Sequence, residues 1–294
     1  MIDPMLTIII PTHNRAEILG RCLEHLSEQT FQDFQVIVVD DGSSDKTQEI
    51  ATSWSFRFPH FKYVYQKNQG QGNARNNGLK HATGDIILFI GDDILLERTA
   101  VQGHMLMHKK HPEKRIAVLG LVLWHPEVEV TDFMRWLTSG KDGGTQFAYD
   151  LLEGKEEADY NFFYTSNISI KKKLLEKHKF DQDFHSYGWE DIELGYRLAK
   201  EENMKLYYNK NAVGYHHHMI DEKSLADRMR SIGKSSKIFH KKHPELKKLP
   251  PLWKKTALWL ISRKPVLMLA KKYRKNFYYY ALSKRYLLCG LRQV

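Results

Sequence analysis

Four short apolar runs, each ending in a polar cluster and separated by stretches of helical spacing, occupy the chain from Leu6 to Asp93. Leu6 to Ile10 is a β-branched run ending at Pro11, and Gln35 to Val39, Tyr63 to Gln66 and Ile86 to Ile90 are the other three. Runs of this length between turn signals read as strands, buried ones in the first, second and fourth cases and a short one at Tyr63 to Gln66. Between them, Ala16 to Gln29 sets Ile18, Leu19, Leu23 and Leu26 on one stripe, and Lys46 to Ser53 and Gly72 to Ala82 also read as helices. Such alternation implies a parallel sheet with helices on both faces. Ligands of these sheets sit off the C-terminal ends of the strands. The clusters Thr12-His13-Asn14, Asp40-Asp41, Asn68-Gln69-Gly70 and Asp92-Asp93 should therefore converge on one crevice.

The remainder is less regular. Ile116 to Trp124 and Tyr164 to Ile170 read as strands, Ser139 to Gly144 as a flexible loop, and Trp189 to Glu202 as a helix. Leu206 to Tyr208 and Ala212 to Tyr215 are short strand-like pieces, followed by three histidines. Beyond Asp221 the pattern is helical and increasingly basic. The formal net charge of +10 hides an asymmetry: residues 241–294 hold 15 Lys/Arg and one acid, Glu245, whereas residues 1–240 hold 30 Lys/Arg and 34 acids. A slightly acidic body with a strongly basic tail suggests two jobs on two segments.

With 42% hydrophobic and 27% charged residues the chain has globular composition, which excludes wholesale disorder. Two distant cysteines, Cys22 and Cys289, fit neither a disulfide framework nor a zinc cluster and favour a reducing, cytoplasmic setting. Met1-Ile2-Asp3-Pro4 is not a basic leader before a long apolar run, and no stretch approaches the ~18 apolar residues that span a bilayer. The expectation is a soluble or peripheral protein.

Two carboxylates at one strand end repel, so Asp92-Asp93 calls for a cation, and hard oxygen ligands suit Mg2+ or Mn2+. A diphosphate would complete the coordination, the metal neutralising its charge. Asp41, in the turn Asp41-Gly42-Ser43-Ser44-Asp45, would accept a hydrogen bond from a nucleobase, while Ser44 or Asp45 caps the next helix. The segment Gln69-Gly70-Gln71-Gly72-Asn73-Ala74-Arg75 lacks both the dinucleotide fingerprint and a P-loop, and its Arg75 either reaches a phosphate or pairs with an acid. In Trp189-Glu190-Asp191, which opens a helix, a carboxylate either complements the helix dipole or serves as general base towards an acceptor hydroxyl. Trp189 either packs in the core or forms a platform for a sugar ring. Strand alternation would put His216 and His218 on one face and His217 on the other, and a neutral imidazole from this triplet can complete a metal site begun by Asp93.

The motifs Thr7 to Arg15, Val38 to Asp45, Asn76-Asn77-Gly78 and Gly84-Asp85 through Asp92-Asp93 together resemble glycosyltransferase family 2, and the resemblance resumes at Gly188-Trp189-Glu190-Asp191 and at the histidines. The resemblance implies an α/β fold of GT-A type, a Rossmann-like mixed sheet flanked by helices, with a basic helical C-terminal extension. It implies a catalytic domain over residues 1–220, with a nucleotide-binding half over about 1–100 and an acceptor-binding half over about 101–220, and a C-terminal segment over 221–294. Pro11, Thr12, Asn14, Asp41, Gly70, Arg75 and Asp92 would bind the nucleotide, and Trp189 and Glu190 the acceptor. Asp93 would ligate Mn2+ or Mg2+ with His216, or alternatively His218, and Asp191 would be the base. The implied reaction is inverting transfer from a nucleoside-diphosphate sugar, UDP favoured, to a hydroxyl of a glycan or lipid-linked acceptor. Gly91-Asp92-Asp93 departs from the family's commoner Asp-x-Asp.

The tail carries Trp253, Leu258, Trp259, Leu260 and Leu267 among lysines and arginines. It either docks on an anionic membrane surface through residues 241–294, at the inner face, or caps the catalytic domain. A nucleotidyltransferase would need a Gly-rich basic loop where Pro11-Thr12-His13-Asn14 stands. A nucleic-acid-binding role resting on the tail has no zinc-finger or RNA-recognition motif beside it, and no nucleic-acid partner is expected.

Overall fold

Burial of both sheet faces explains the uninterrupted apolar runs. In the computed structural model, which describes residues 5–292 except Thr145 and Ser186, the strands β1 (Leu6–Thr12), β2 (Phe34–Asp40) and β4 (Ile86–Ile90) are buried at every position. Met1 to Pro4, which entered the leader argument, lie outside the described residues. The chain divides into two compact units.

The first unit comprises residues up to Val128 with Gly154–Gln182 and Asp191–His218. Its helices are α1 (Ala16–Ser27), α2 (Thr47–Ser53), α3 (Gln71–Leu79), α4 (Ala100–Lys110), α6 (Lys172–Lys177) and most of α7 (Glu190–Glu202). Its other strands are β3 (His60–Tyr65), β5 (Ile94–Leu96), β6 (Ile116–Trp124), β7 (Glu157–Ala158), β8 (Asn167–Lys171) and β9 (Lys205–His216). One mixed sheet runs in the order β3-β2-β1-β4-β8-β6-β9-β5, with β7 also on β9. The first four strands are parallel, β8 runs antiparallel to both β4 and β6, and β6 is parallel to β9.

Helix α1 buries Leu19, Cys22, Leu23 and Leu26, so Cys22 takes the place on the stripe expected for the half-buried Ile18. Helix α3 lies close on β1 because position 78 is glycine: a Cβ there would stand 2.7 Å from the Ile9 side chain. The two pieces expected at 206–208 and 212–215 are one strand, β9, with an irregularity between its pairs Asn209↔Gly120 and Val213↔Leu121. Asn167 of β8 satisfies the carbonyls at this bulge, donating to Ala212 O at 2.9 Å and Leu121 O at 3.2 Å. Its Oδ1 accepts from His104 Nε2 at 2.9 Å, Ser169 Oγ donates to His104 Nδ1 at 2.9 Å, and His108 Nε2 meets Ser169 Oγ at 2.8 Å. Burial pushes His104 down to about 4 against the hydrogen bond to Asn167, and burial with Lys171 pushes His108 down to about 2, so both imidazoles are neutral.

The second unit gathers Glu129–Glu153, Asp183–Glu190 and Met219 onward. It holds α5 (Asp132–Leu137), α8 (Leu225–Lys242), α9 (Leu252–Ile261), α10 (Lys264–Tyr273) and α11 (Lys275–Arg292). Thr131 Oγ1 caps α5 by accepting from Met134 N at 3.2 Å. Phe133 and Trp136 of α5 pack on Tyr279 of α11 with ring centroids 5.3 and 5.6 Å away. Lys275 Nζ pairs with Asp132 at 2.7 Å. Helices α8 and α11 meet at two glycines, where a Cβ on Gly233 or Gly290 would strike the facing backbone.

Candidate active site

Sheet register assembles an acidic cluster that local sequence leaves unexplained. After β4 the chain turns through Asp92 and Asp93 into β5, three residues that were not expected as a strand. Strand β5 pairs antiparallel with β9 so that Ile94 faces His216, and His217 N donates to Asp93 O at 2.9 Å. The end of β9 is thereby pinned beside the Asp pair. His216 Nε2 lies 3.3 Å from Asp93 Oδ2.

The pair is bridged by a side chain to which the sequence reading gave no role. Arg15, just past β1 and before α1, donates through Nη1 to Asp92 Oδ1 at 2.8 Å and to Asp93 Oδ2 at 2.7 Å. Its Nη2 stands 3.4 Å from His218 Nδ1, and Thr12 Oγ1 donates to Asp92 Oδ2 at 2.8 Å. The available signal was a cation just past one strand end in a sheet whose neighbouring strand ends are acidic.

The two carboxyls are electrostatically unlike. Burial and the charge of Asp93 push Asp92 up to about 6, against the pull of Arg15 and Thr12. Burial also raises Asp93, but His216 and Arg15 outweigh it and hold that carboxyl well below the usual range. Burial would lower Arg15, yet Asp92 and Asp93 hold its guanidinium charge more firmly than usual. Two carboxylate groups that already hold a guanidinium, with an imidazole beside one of them, fit a cationic guest, and oxygen ligands with one nitrogen suit Mn2+ or Mg2+.

The neighbouring strand ends build a polar floor. Pro11 is buried opposite Val39, and Asp41 N donates to Thr12 O at 2.9 Å. Asp41 Oδ1 accepts from Gln66 Nε2 and Gln69 N, and Oδ2 from Gly70 N, each at 2.8 Å. These three bonds fold the loop between β3 and α3, and a carboxylate keeps further lone-pair capacity beyond them. Gly70 has φ +87°, a conformation glycine adopts without strain, and it opens α3. Asn14, at φ 53°, accepts from Ser44 N at 2.7 Å, and its own N–H donates to Ser43 Oγ at 2.8 Å. Asp45 accepts from Thr47 N at 3.0 Å and from Ala16 N at 3.1 Å, so one carboxylate serves the starts of α1 and α2. Arg75 is buried, its guanidinium 5.5 Å from the Phe180 ring centroid and its Nη2 3.4 Å from Gln71 Oε1.

Asp191 sits in the first turn of α7, half-buried, with Oδ1 accepting from Ile192 N at 2.8 Å. Glu190 is buried and accepts from Gly188 N at 3.1 Å. Gly188 and Trp189 have φ of +101° and +75°. For tryptophan that conformation costs about 1–3 kcal/mol. The Trp189 ring packs 5.3 Å from Phe239, with Lys248 Nζ 5.1 Å from its centroid. Thus Thr12, Asp92, Asp93, His216 and His218 share one network through Arg15, Asp41 joins it at the Thr12 backbone, and Asn14, Gly70 and Arg75 lie in the adjoining loops and α3. Asp191, Trp189 and Glu190 belong to the segment opening α7.

Among the described residues, the trio whose ligand atoms all lie within 4.8 Å of one another is a different one, His125, Glu127 and His217. Arg21 fills it, donating to His217 Nε2 at 2.7 Å and to Glu127 Oε2 at 2.8 Å, so the trio is an ion-paired cluster.

Known proteins resemble this chain in sequence and in fold. The family model described as "Glycosyl transferase family 2" matches residues 7–179. Validoxylamine A glucosyltransferase of Streptomyces hygroscopicus subsp. jinggangensis is 27% identical over 96% of this chain and 69% of its own length. The GalNAc(5)-diNAcBac-PP-undecaprenol beta-1,3-glucosyltransferase of Campylobacter jejuni is 30% identical over 69% of this chain and 62% of its own. The chain thus spans about two thirds of the length of these relatives. Among solved structures, the mannosyltransferase PcManGT of Pyrobaculum calidifontis, in complex with GDP-Man and Mn2+, superposes with a TM-score of 0.66 at 19% identity, covering 98% of this chain and 86% of that one. S. aureus TarS 1–349 in complex with UDP gives 0.56 at 16% identity, covering 97% and 90%. The chain belongs to glycosyltransferase family 2 and has the GT-A fold.

Proposed function

We propose that the protein is a metal-assisted, inverting glycosyltransferase that moves a sugar from a nucleoside-diphosphate donor to a hydroxyl of a glycan or lipid-linked acceptor. The observation that carries this reading is the Asp92–Asp93–His216 cluster at the C-terminal ends of a nucleotide-type sheet, where the two carboxyls hold the Arg15 guanidinium and His216 stands beside Asp93. Asp93 and His216 would hold Mn2+ or Mg2+, with His218 the alternative imidazole. When bound, the ion supplies positive charge to a departing diphosphate. Thr12 and Arg15 fix the orientation of Asp92, and Asp41 and the Gly70 loop line the nucleoside's side of the floor. Arg75, one turn into α3, adds positive charge on the diphosphate side.

Asp191 acts as the base: it takes the proton of the acceptor hydroxyl, whose oxygen attacks the anomeric carbon as the diphosphate leaves, inverting configuration. Trp189, on the strained turn before α7, and Glu190, at the start of that helix, shape the acceptor side. The Mn2+ and GDP-Man bound by PcManGT and the UDP bound by TarS support a metal and a nucleotide sugar, with a UDP-sugar as our preferred donor. The undecaprenol-linked substrate named for the Campylobacter relative supports a lipid-linked acceptor, and with it a peripheral position at the inner face of a membrane.

A melting-temperature panel of nucleoside diphosphates and nucleotide sugars, with and without Mn2+, tests this reading. One nucleotide should stabilise the protein in a Mn2+-dependent way, and Asp93→Ala should abolish the Mn2+ dependence. Indifference of the wild-type protein to every nucleotide, with or without metal, overturns it.

A further inference from the structure

The helices α9 and α10 expose apolar side chains that the fold does not use. Each buries one edge within its unit, Leu258 on α9 and Leu267 with Ala270 on α10. A second apolar edge on each faces solvent. On α9 it is Trp253, Ala257 and Leu260, at spacings of four and three, and on α10 it is Val266, Leu269 and Tyr273, at spacings of three and four. Trp253 is 72% exposed and Leu269 64%. Scattered single exposed hydrophobes need no explanation, but a stripe on each of two consecutive helices does.

Charge decides what covers them. From Leu246 to Val294 the chain has no aspartate or glutamate, and lysines or arginines flank both stripes at 254, 255, 263, 264, 271 and 272. Arg263 lies over the Trp259 ring at 4.6 Å and Lys272 over that of Tyr273 at 5.0 Å, so cations border exposed aromatic rings. Tryptophan and tyrosine favour the level of lipid headgroups, where lysine and arginine stems extend towards phosphate. No helix among the described residues is long and apolar enough to cross a membrane. An apolar stripe with basic flanks and no acid is the pattern of a helix lying in the plane of an anionic interface.

We propose that the exposed stripes of α9 and α10 are the surface by which this chain lies on an anionic bilayer. The proposal deepens, and rests on, the peripheral position stated above, and it is independent of the transfer chemistry.

The test uses the full chain with vesicles of phosphatidylcholine alone or mixed with an equal part of phosphatidylglycerol. At low salt the protein should sediment with the anionic vesicles only, with a blue shift of tryptophan emission. Raising salt to ~0.5 M should weaken binding by tenfold or more, because surface charge is then screened. The double variant Leu260→Glu, Leu269→Glu should lose binding at least ~tenfold, from lost apolar insertion and added repulsion. Its nucleotide-dependent melting shift, and its transfer to a water-soluble acceptor, should match wild type, which separates docking from fold and catalysis. Wild-type protein remaining in the supernatant at low salt overturns the proposal, as does equal binding by the double variant or to neutral vesicles. A solution dimer broken by the same variant, without vesicle binding, assigns the stripes to a second copy and also overturns it.

Discussion

The sheet of the first unit and the C-terminal helices of the second use the same residue types in opposite directions. Strands β1, β2 and β4 bury every side chain, and the polar groups at their ends are tied to one another by named bonds. Helices α9 and α10 bury one edge and expose leucine, tryptophan and methionine among lysines. In the sheet, hydrophobicity holds the fold and leaves polar groups for chemistry. In the helices a large share of it contributes nothing to the unit's own core and is available to something outside. Catalysis and attachment should therefore be separable by substitution.

The largest effect should come from the chemistry end. If Asp191 is the base, Asp191→Asn lowers kcat by ~10²–10⁴-fold while KM for donor and the melting temperature stay near wild type. Steady-state kinetics beside a thermal melt check this. Near-normal turnover by the folded variant would move the base elsewhere.

Next in size is the sheet core. Leu88 of β4 is fully buried, so Leu88→Ala should cost about 2–5 kcal/mol of unfolding free energy, read by denaturant titration. A cost below ~1 kcal/mol would mean that the sheet relaxes around the cavity and the contrast with the helices is weaker than drawn.

The buried His104–Asn167–Ser169–His108 network adds a pH signature. His104 is pushed down to about 4, whereas the unfolded chain's imidazole titrates near ~6.5. Between those values the unfolded state binds a proton that the folded state refuses, so stability falls as pH drops from ~6.5 towards 4. At ~1.4 kcal/mol per pH unit, lowering pH from 7.5 to 5 should cost about 2 kcal/mol through His104 alone, with His108 acting in the same direction. His104→Gln should flatten that part of the pH dependence, as measured by melts at the two pH values.

What was legible in the sequence follows the same division. The three buried strands β1, β2 and β4 were plain because two-sided burial leaves uninterrupted apolar runs, and their polar ends marked the crevice side. The three-residue β5, directly after Asp93, was hidden by its length, and β9 read as two strands because Asn209-Lys210-Asn211 interrupts it at the bulge. The proximity of His216 to Asp93 depends on the β5–β9 register, a pairing between segments 122 positions apart that no local pattern encodes. Arg15 was visible only as part of a motif, since its pairing is tertiary. The grouping of 129–153 and 183–190 with the C-terminal helices is likewise a matter of packing, and no composition shift marks it. The basic tail was obvious from charge, but periodicity alone did not say which stripe of α9 is buried.

The smallest effect tests the helices by themselves. Leu258 and Leu260 stand two residues apart on α9, and a 200° step around the helix separates a side chain 7% exposed from one 53% exposed. Leu258→Ala should cost about 2 kcal/mol, the low end for a buried leucine. Leu260→Ser should stay within ~0.5 kcal/mol of wild type in solution, because its side chain is already half in water. It should still weaken binding to anionic vesicles, since the methyl groups it removes would have entered the interface. If the two substitutions destabilise the soluble protein equally, the outer stripe of α9 is covered by the protein itself, and the opposition between an inward-facing sheet and an outward-facing helix pair collapses.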